Sequence, residues 1–290
     1  MLPGSATVTA PPSPASLSPS TLEALFRFVD DHPRLLVLTG AGCSTGSGIP
    51  DHRDAFGTWK HKKPVSFADF AASPAARRRY WAGSLIGWPR VAAASPNPAH
   101  AALARLEARG RVVHVVTQNV DGLHQKAGSR RVIDLHGRLD AVECLECGAA
   151  LARSDLQTLL RQWNPGFGTD GAEHAPDGDA RVESAPVDDL RVPECPECGG
   201  VLKPGVVFFG ESVPRHRVRA ALRALESADA LLVVGSSLMV FSGYRFCLAA
   251  RELGRPIAAV NLGRTRAESL LELRVAHDCG LALPALAALC

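Results

Sequence analysis

The chain has 290 residues, 46% of them hydrophobic and 21% charged, with a formal net charge of +3. That length and balance suit a full globular core with a smaller appended unit, and exclude a chain too polar to collapse. The positive excess is small and dispersed, with Arg77–Arg79 the only triple basic run, so no nucleic-acid surface is expected; no apolar stretch reaches the ~20 residues of a membrane span.

Taken in chain order, residues 1–20, MLPGSATVTAPPSPASLSPS, carry no charged side chain. They lack the positive start and continuous apolar segment of a signal peptide, and the arginines of a mitochondrial leader. Residues 1–19 are therefore expected to form a disordered tail on a cytoplasmic protein. Ser20–Glu23 (STLE) has the form of a capping box, and Leu22, Leu25, Phe26 and Val29 give the stripe of the helix that follows. Five short runs come next: RLLVLTG (34–40), RVVHVVTQN (111–119), GVVFFG (205–210), ALLVVGSS (230–237) and PIAAVNLG (256–263). Runs apolar on both faces read as buried parallel strands. They alternate with helical stretches such as 97–109, 216–228 and 242–253. The pattern predicts an α/β fold, a doubly wound Rossmann-like parallel sheet built from 20–139 and 205–290. Residues 57–96, with several Trp, Phe and Pro, are expected to form a partly helical excursion over the cleft. Residues 140–204 are expected to form a small inserted zinc-binding domain. Its segment 164–189, dominated by Gly, Ala, Asp and Pro, reads as a long surface loop.

The inserted unit contains ECLECGA and ECPECGG, two Cys-x-x-Cys-Gly knuckles formed by Cys144, Cys147, Cys195 and Cys198. Two residues between thiolates let both reach one ion, and the glycine permits the tight turn. Four thiolates fill a tetrahedral Zn2+ site and leave no open position, so the metal is expected to be structural. Disulfides or free buried thiols are the alternatives; the paired spacing and a reducing compartment favour the metal. The long gap from Cys147 to Cys195 is tolerable because loop-closure cost grows slowly with length. His174, inside that gap, is surplus to the ligand set.

The first strand runs into TGAGCSTGSGIPDHRDAFGTW (39–59). Glycines after a strand let the backbone approach a phosphate at a helix N-terminus. The spacing Gly40-x-Gly42-x-x-x-Gly46 departs from G-x-G-x-x-G, and no Gly-Lys-Ser/Thr follows, so on this stretch alone a plain strand-to-helix turn stays open. Other strand ends narrow the choice. TQNVDGLH (117–124) brings Gln118, Asn119, Asp121 and His124 to the end of the second run, and GSS (235–237) and NLG (261–263) end two more. Small and polar residues at several carboxyl ends make a ligand site in this fold, with Asn261 where a dinucleotide fold offers a ribose partner.

GAGCSTGSGIPDHR, TQNVDGLH, LHG (135–137), the two cysteine pairs, KPGVVFFGE (203–211), GSS and NLG occur in that order. Together they resemble the sirtuin family of NAD-dependent protein deacylases, over nearly all of residues 21–290. RYWAGSLIGWP (79–89), SPNPAH (95–100), KAGSRR (126–131) and GSSLMVFSGYRF (235–246) are similar to the class II branch. The resemblance implies that NAD+ is consumed as a co-substrate. The acyl oxygen of a modified lysine attacks the ribose C1′ as nicotinamide leaves, and the acyl group passes to ADP-ribose.

The resemblance also implies roles. His136 is the general base, a task suited to imidazole with its pKa near the working pH. Asn119 and Asp121 hold the nicotinamide carboxamide and ribose, since an amide needs both a donor and an acceptor. Gln118 serves ribose hydroxyls, Asp51 and Arg53 order the closing loop, and Gly42, Ser236 and Ser237 lie on the phosphate side. Asn261 faces the adenosine ribose and the Cys279 backbone the adenine. Gly40, Ala41, Ser44, His52, Trp59, Val120, Gly235, Leu262 and Gly263 complete the implied cofactor site. His52 stands where the family usually has an aromatic residue, a departure that bears on rate and base exchange. Cys43 is assigned to packing, because sirtuins use no cysteine nucleophile. Val206, Val207, Phe208 and Phe209 are implied beside the acyl-lysine, where apolar walls suit a neutral acyl group. Tyr80, with Arg77 or Arg79, lies in the region where some family members read a carboxylate.

A monomer acting on acylated lysines in proteins, without nucleic acid or membrane, is expected. The alternatives at the same site are a protein ADP-ribosyltransferase and a long-chain or lipoyl-type deacylase. A hydride-transferring dehydrogenase would leave nicotinamide intact, and a non-catalytic NAD sensor would have no use for His136, Asn119 and Asp121.

Overall fold

Four of the five apolar runs lie side by side. The structure, a computed structural model, describes residues 17–51, 53–54, 56, 58–60, 64–167, 173–174, 180–181 and 187–290. Its strands are, in chain order, β1 (Leu35–Thr39), β2 (Val112–Thr117), β3 (Val132–Asp134), β4 (Gly137–Cys144), β5 (Ala150–Ala152), β6 (Glu173–His174), β7 (Ala180–Arg181), β8 (Leu202–Val206), β9 (Ala230–Val234), β10 (Ile257–Val260) and β11 (Leu273–Val275). The helices are α1 (Pro19–Asp31), α2 (Phe67–Ala72), α3 (Pro74–Ala93), α4 (Pro98–Ala108), α5 (Leu123–Lys126), α6 (Arg153–Trp163), α7 (Arg215–Glu226), α8 (Phe241–Glu252) and α9 (Cys279–Leu289). No helix among the described residues is long and apolar enough to cross a membrane.

Six strands form one sheet in the order β11-β10-β9-β1-β2-β3, every neighbour parallel. Its apolar residues divide by the period of two. Leu35, Val37, Leu232 and Val234 face a core shared with α1, α4 and α9. Leu36, Leu38, Leu231 and Val233 face the opposite core, under α7 and α8. Each such fully buried side chain contributes about 1.5–3 kcal/mol, so a sheet covered on both faces needs runs without polar breaks. The chain winds outward from β1 through β2 to β3, then returns to β9 on the other side of β1. The strand order therefore reverses between β1 and β9, which opens a crevice at their carboxyl ends.

The run at 205–210 is not part of this sheet. Only Leu202–Val206 is strand, and it pairs antiparallel with β4 in a second sheet of order β5-β4-β8. Its apolarity has another origin. Phe208 packs with Phe70, Tyr80, Trp81, Leu156 and Leu160 in a third core that joins α3 and α6 to the cysteine-bearing segment. Arg153 of α6 is buried there, its guanidinium 5.4 and 4.8 Å from the Trp81 and Trp88 rings and bonded to the Ser84 carbonyl and hydroxyl. β3 and β11 are edge strands of three residues each, too short to register as periodic runs.

Two local expectations also need correction. The cap of α1 is Ser18, not Ser20: the Thr21 amide donates to Ser18 Oγ at 3.2 Å and Pro19 takes the first helical position. A proline there has a suitable φ and no N–H to leave unpaired. Glu23 instead pairs with Arg27, one turn on. The segment expected as one long loop includes the antiparallel pair β6–β7. The remainder of 168–186, like the tail at 1–16, lies outside the described residues.

Candidate active site and metal centre

At the strand-order reversal two turns interlock. The Gly42 amide donates to the Gly235 carbonyl at 2.8 Å. Gly235 has φ 58°, and a Cβ there would lie 2.3 Å from the Cys43 nitrogen; one on Gly40 would lie 2.7 Å from Ser236 Cβ. No side chain fits between these backbones. The chain beyond Gly40 makes two short 3-10 turns, Ala41–Cys43 and Thr45–Ser47. A cleft of about 980 Å³ opens beside them.

Gly40, Ala41, Gly42, Ser44, Asp51, Arg53, Gln118, Asn119, Val120, Asp121, Gly235, Ser236, Ser237, Asn261, Leu262, Gly263 and Cys279 all line this cleft, as do His136 and Val206 through Phe209. Trp59 does not. It packs between the Arg53 guanidinium, 4.2 Å from its ring, and Phe209, 5.4 Å away. Asp51 pairs with Lys60. His52 lies outside the described residues. Cys43 is buried, and the neighbouring Cys279 thiol together with burial holds its pKa well above the ordinary thiol value, as suits a packing residue.

The polar side chains of the floor are held by hydrogen bonds in small groups. The Asn119 amide donates to the Gly40 carbonyl and to Ser44 Oγ, both at 3.0 Å, and Ser44 Oγ donates to Asp121 at 2.7 Å. The Leu123 amide donates to the other Asp121 oxygen at 2.9 Å. Gln118 Nε2 donates to Ser236 Oγ at 2.8 Å and to the Thr39 carbonyl at 3.2 Å. Asn261 Nδ2 donates to the Gly263 carbonyl. His124 lies beneath this floor and not in the cleft wall. Thr39 Oγ1 gives its proton to Thr117, so His124 Nε2 donates to Thr39 at 2.9 Å. Burial and the adjacent His100 lower the His124 pKa to about 3.

His136 stands at the entry to β4, where Gly137 has φ 81° and a Cβ would meet the Gly205 oxygen at 2.0 Å. Its Nδ1 is 2.9 Å from the Gln118 carbonyl oxygen. A carbonyl only accepts, so Nδ1 carries the proton and Nε2 presents the lone pair. Ser242 Oγ lies 2.8 Å from Nε2. Burial lowers the His136 pKa to about 4, against the Gln118 hydrogen bond, and Arg217 and Arg245 lower it further. The ring is therefore neutral near pH 7, with its basic nitrogen against the Ser242 hydroxyl.

The strip after β8 is tied down from behind. Lys203 is 1% exposed. Its ammonium donates to Glu143 at 3.0 Å and to the Pro204 and Val206 carbonyls at 3.2 and 2.6 Å, and lies 3.5 Å from Glu211. Glu211 accepts from the Phe208 amide at 2.9 Å, and the Val207 amide donates to the His136 carbonyl at 2.7 Å. Tyr80 lines the cleft against Phe208. Arg77 spends its guanidinium on the Phe70 and Ala71 carbonyls, and neither it nor Arg79 reaches the cleft wall. The wall around Val65, Tyr80, Val206 and Phe208 is apolar.

The four knuckle cysteines converge. Cys144 and Cys198 sulfurs are 3.6 Å apart, Cys147 and Cys195 sulfurs 3.7 Å, and all four lie within 4.8 Å of one another. These separations are too long for disulfides, whose sulfurs sit about 2.05 Å apart. They match the edge of about 3.8 Å expected for thiolates bonded at about 2.3 Å to one tetrahedral zinc. Gly148 and Gly199 donate to the Cys144 and Cys195 carbonyls, and both glycines have φ 73°, so the two knuckles are copies of one turn. The donor set fits a structural zinc.

Sequence reasoning missed Ser242, Arg245 and Lys203 as members of the site, although all three stood within quoted motifs. It also missed Leu238, the one non-glycine with positive φ (56°) among the described residues, in the turn that carries Ser236 and Ser237 to α8.

The Sir2 family profile matches residues 40–242. The chain is 58% identical over 260 residues to an NAD-dependent protein deacetylase of Xanthomonas campestris pv. campestris (strain 8004), covering 90% of this chain and 89% of that one. It is 46% identical over 268 residues to the NAD-dependent protein deacylase Sirt4 of Drosophila melanogaster, covering 91% and 86%. A solved Sir2 complex with a p53 peptide and NAD+ superimposes with a TM-score of 0.73 at 29% identity, over 90% of this chain and 95% of that one. With that match spanning the glycine turns, the cysteine knuckles and His136, the chain belongs to the Sir2 family, the sirtuins.

Proposed function

We propose that this protein is an NAD-dependent protein lysine deacylase, with acetyl-lysine as its default substrate. It cleaves NAD to nicotinamide and transfers the acyl group to ADP-ribose. The observation that carries the reading is the neutral His136, whose Nε2 faces the same cleft as the switch-point glycines and the apolar strip. Bound NAD supplies an electrophilic sugar carbon once nicotinamide has left; the protein supplies position and proton transfer. Gly40, Gly42, Ser236 and Ser237 offer a close backbone approach to the phosphates. Both Asn119 amide protons are engaged, so its oxygen is the group left to accept from the nicotinamide carboxamide. Asp121, fixed by Ser44 and Leu123, takes the ribose. His136 accepts a ribose hydroxyl proton at Nε2.

Residues 20–139 with 205–290 form the NAD-binding part, and 140–204 the zinc-binding part. The zinc is closed by four thiolates and takes no part in the chemistry. The apolar wall beside Tyr80 and Phe208 favours a neutral acyl group over a carboxylate-bearing one. The reading extends to the class II branch, on residues 79–89, 95–100, 126–131 and 235–246, and to a cytoplasmic monomer without a nucleic-acid partner. Mass spectrometry of a reaction with NAD and an acetyl-lysine peptide tests it. Acetyl-ADP-ribose, nicotinamide and free lysine in equal amounts are expected. ADP-ribosylated protein with the acetyl group still in place would replace this reading with a transferase acting on a protein side chain.

A further inference from the structure

The first turn of α8 touches the two residues on which the proposed base depends. Ser242 Oγ is 2.8 Å from His136 Nε2. Its neighbour Gly243 lies so close to Gln118 that a Cβ would meet Oε1 at 2.4 Å. Gln118 in turn holds His136 Nδ1 through its backbone carbonyl. The missing side chain at Gly243 thus lets α8 close on Gln118, and that contact sets where the Ser242 hydroxyl stands. The charged groups that face the imidazole are Arg217 from α7 and Arg245 from α8, and neither can accept a proton from it. From the segment after β2 the ring meets the Gln118 carbonyl, already used at Nδ1.

We propose that Ser242 is a positioning residue for the base: its hydroxyl holds the Nε2 lone pair in the resting enzyme and accepts the Nε2–H after proton transfer. The inference rests on the deacylase reading. In the resting state Nδ1–H is fixed on Gln118, so Nε2 can only accept, and Ser242 O–H donates to it. Nε2 has one lone pair, so the Ser242 O–H first turns off it and the ribose hydroxyl takes its place; the sugar O–H bond then breaks and an Nε2–H bond forms. The hydroxyl of Ser242 rotates, its oxygen now accepting from Nε2–H, with no proton gained or lost by the serine. A hydroxyl can reverse its role in this way; a methyl group or a cation cannot.

The test uses the zinc-loaded full-length protein carrying Ser242→Ala or Ser242→Thr. For Ser242→Ala, kcat is expected to fall about tenfold, with the KM values for NAD and acetyl-lysine peptide nearly unchanged. The acid limb of kcat/KM should move to lower pH, because the charge-assisted bond that the Ser242 oxygen accepts from the protonated ring is stronger than the bond its hydroxyl donates to the neutral one. Ser242→Thr keeps the hydroxyl and should restore most of kcat and the original limb. Wild-type kcat and an unmoved acid limb in Ser242→Ala overturn the proposal, as do equal losses in the Ala and Thr variants at unchanged melting temperature. Failure of the deacylase reading would look different, since the wild-type protein itself would then leave NAD whole.

Discussion

The Gly42 amide donates to the Gly235 carbonyl at 2.8 Å, which locks the turn after β1 onto the turn after β9 where the strand order reverses. Everything in the cleft is referred to that contact: Ser44 and Asn119 hang from one turn, Ser236 and Leu238 from the other. Gly235→Ala should therefore be far more costly than an ordinary left-handed glycine replacement. Gly254 supplies the comparison, with φ 65° and nothing within 4 Å of its Cβ position. Gly254→Ala should cost about 1–2 kcal/mol, the left-handed penalty alone. Gly235→Ala adds a backbone collision and should also abolish NAD binding. Denaturant unfolding and NAD titration compare the two; equal effects would count against the interlock.

The buried histidines predict acid sensitivity. His124 and His136 titrate near 3 and 4 in the fold, against 6.5 for a free imidazole. Below pH 6.5 the unfolded chain binds protons that the folded chain refuses, so the unfolding free energy falls as pH falls. Each pH unit crossed in that window costs about 1.4 kcal/mol per histidine. The melting temperature should drop between pH 6.5 and 4.5, and His124→Gln should flatten the slope. By the same shift, kcat/KM should stay level to below pH 6. A half-maximal point near 6.5 would contradict a His136 held neutral by burial.

Metal removal should act through folding. Zinc held by four thiolates supplies apparent binding energy of about 10–16 kcal/mol, as much as a whole domain's stability. The cysteine segment shares its core with α3 and Phe208. Cys195→Ser should lose the single zinc and the soluble fold together, as read by metal analysis and circular dichroism. A metal-free protein with native melting and turnover would refute the structural role.

Lys203 is the anchor of the cleft-lining strip proposed to face the acyl-lysine. Lys203→Met leaves the Val206 carbonyl without its buried donor and Glu211 without its cation, a loss of about 2–3 kcal/mol. The KM for acetylated peptide should rise more than the KM for NAD. Proportional changes in both would assign Lys203 to stability alone.

The sequence was most readable where one physical demand acts at a time. β1 and β9 are buried on both faces, so their runs are unbroken; the knuckles need thiols with two residues between them and a glycine, and nothing else satisfies that. The run at 205–210 was misread because its valines and phenylalanines are apolar for two different reasons, a short antiparallel strand and a cleft wall. Ser18 was passed over for Ser20 because STLE fits a capping box, while Pro19 decides the boundary. Ser242 lay inside a quoted motif, but its role gave no signal: a serine before a glycine at a helix start reads as a turn, and its partner is 106 residues away.

The central claim is that this cleft breaks the glycosidic bond of NAD in order to move an acyl group. Nicotinamide release by the zinc-loaded protein, followed with and without acetyl-lysine peptide and in His136→Ala, tests it most directly. Release that requires the acylated peptide, matches deacetylation mole for mole, and disappears in a folded His136→Ala protein that still binds NAD is the predicted result. Intact NAD across a panel of acyl-lysine peptides, or undiminished release by His136→Ala, would contradict it.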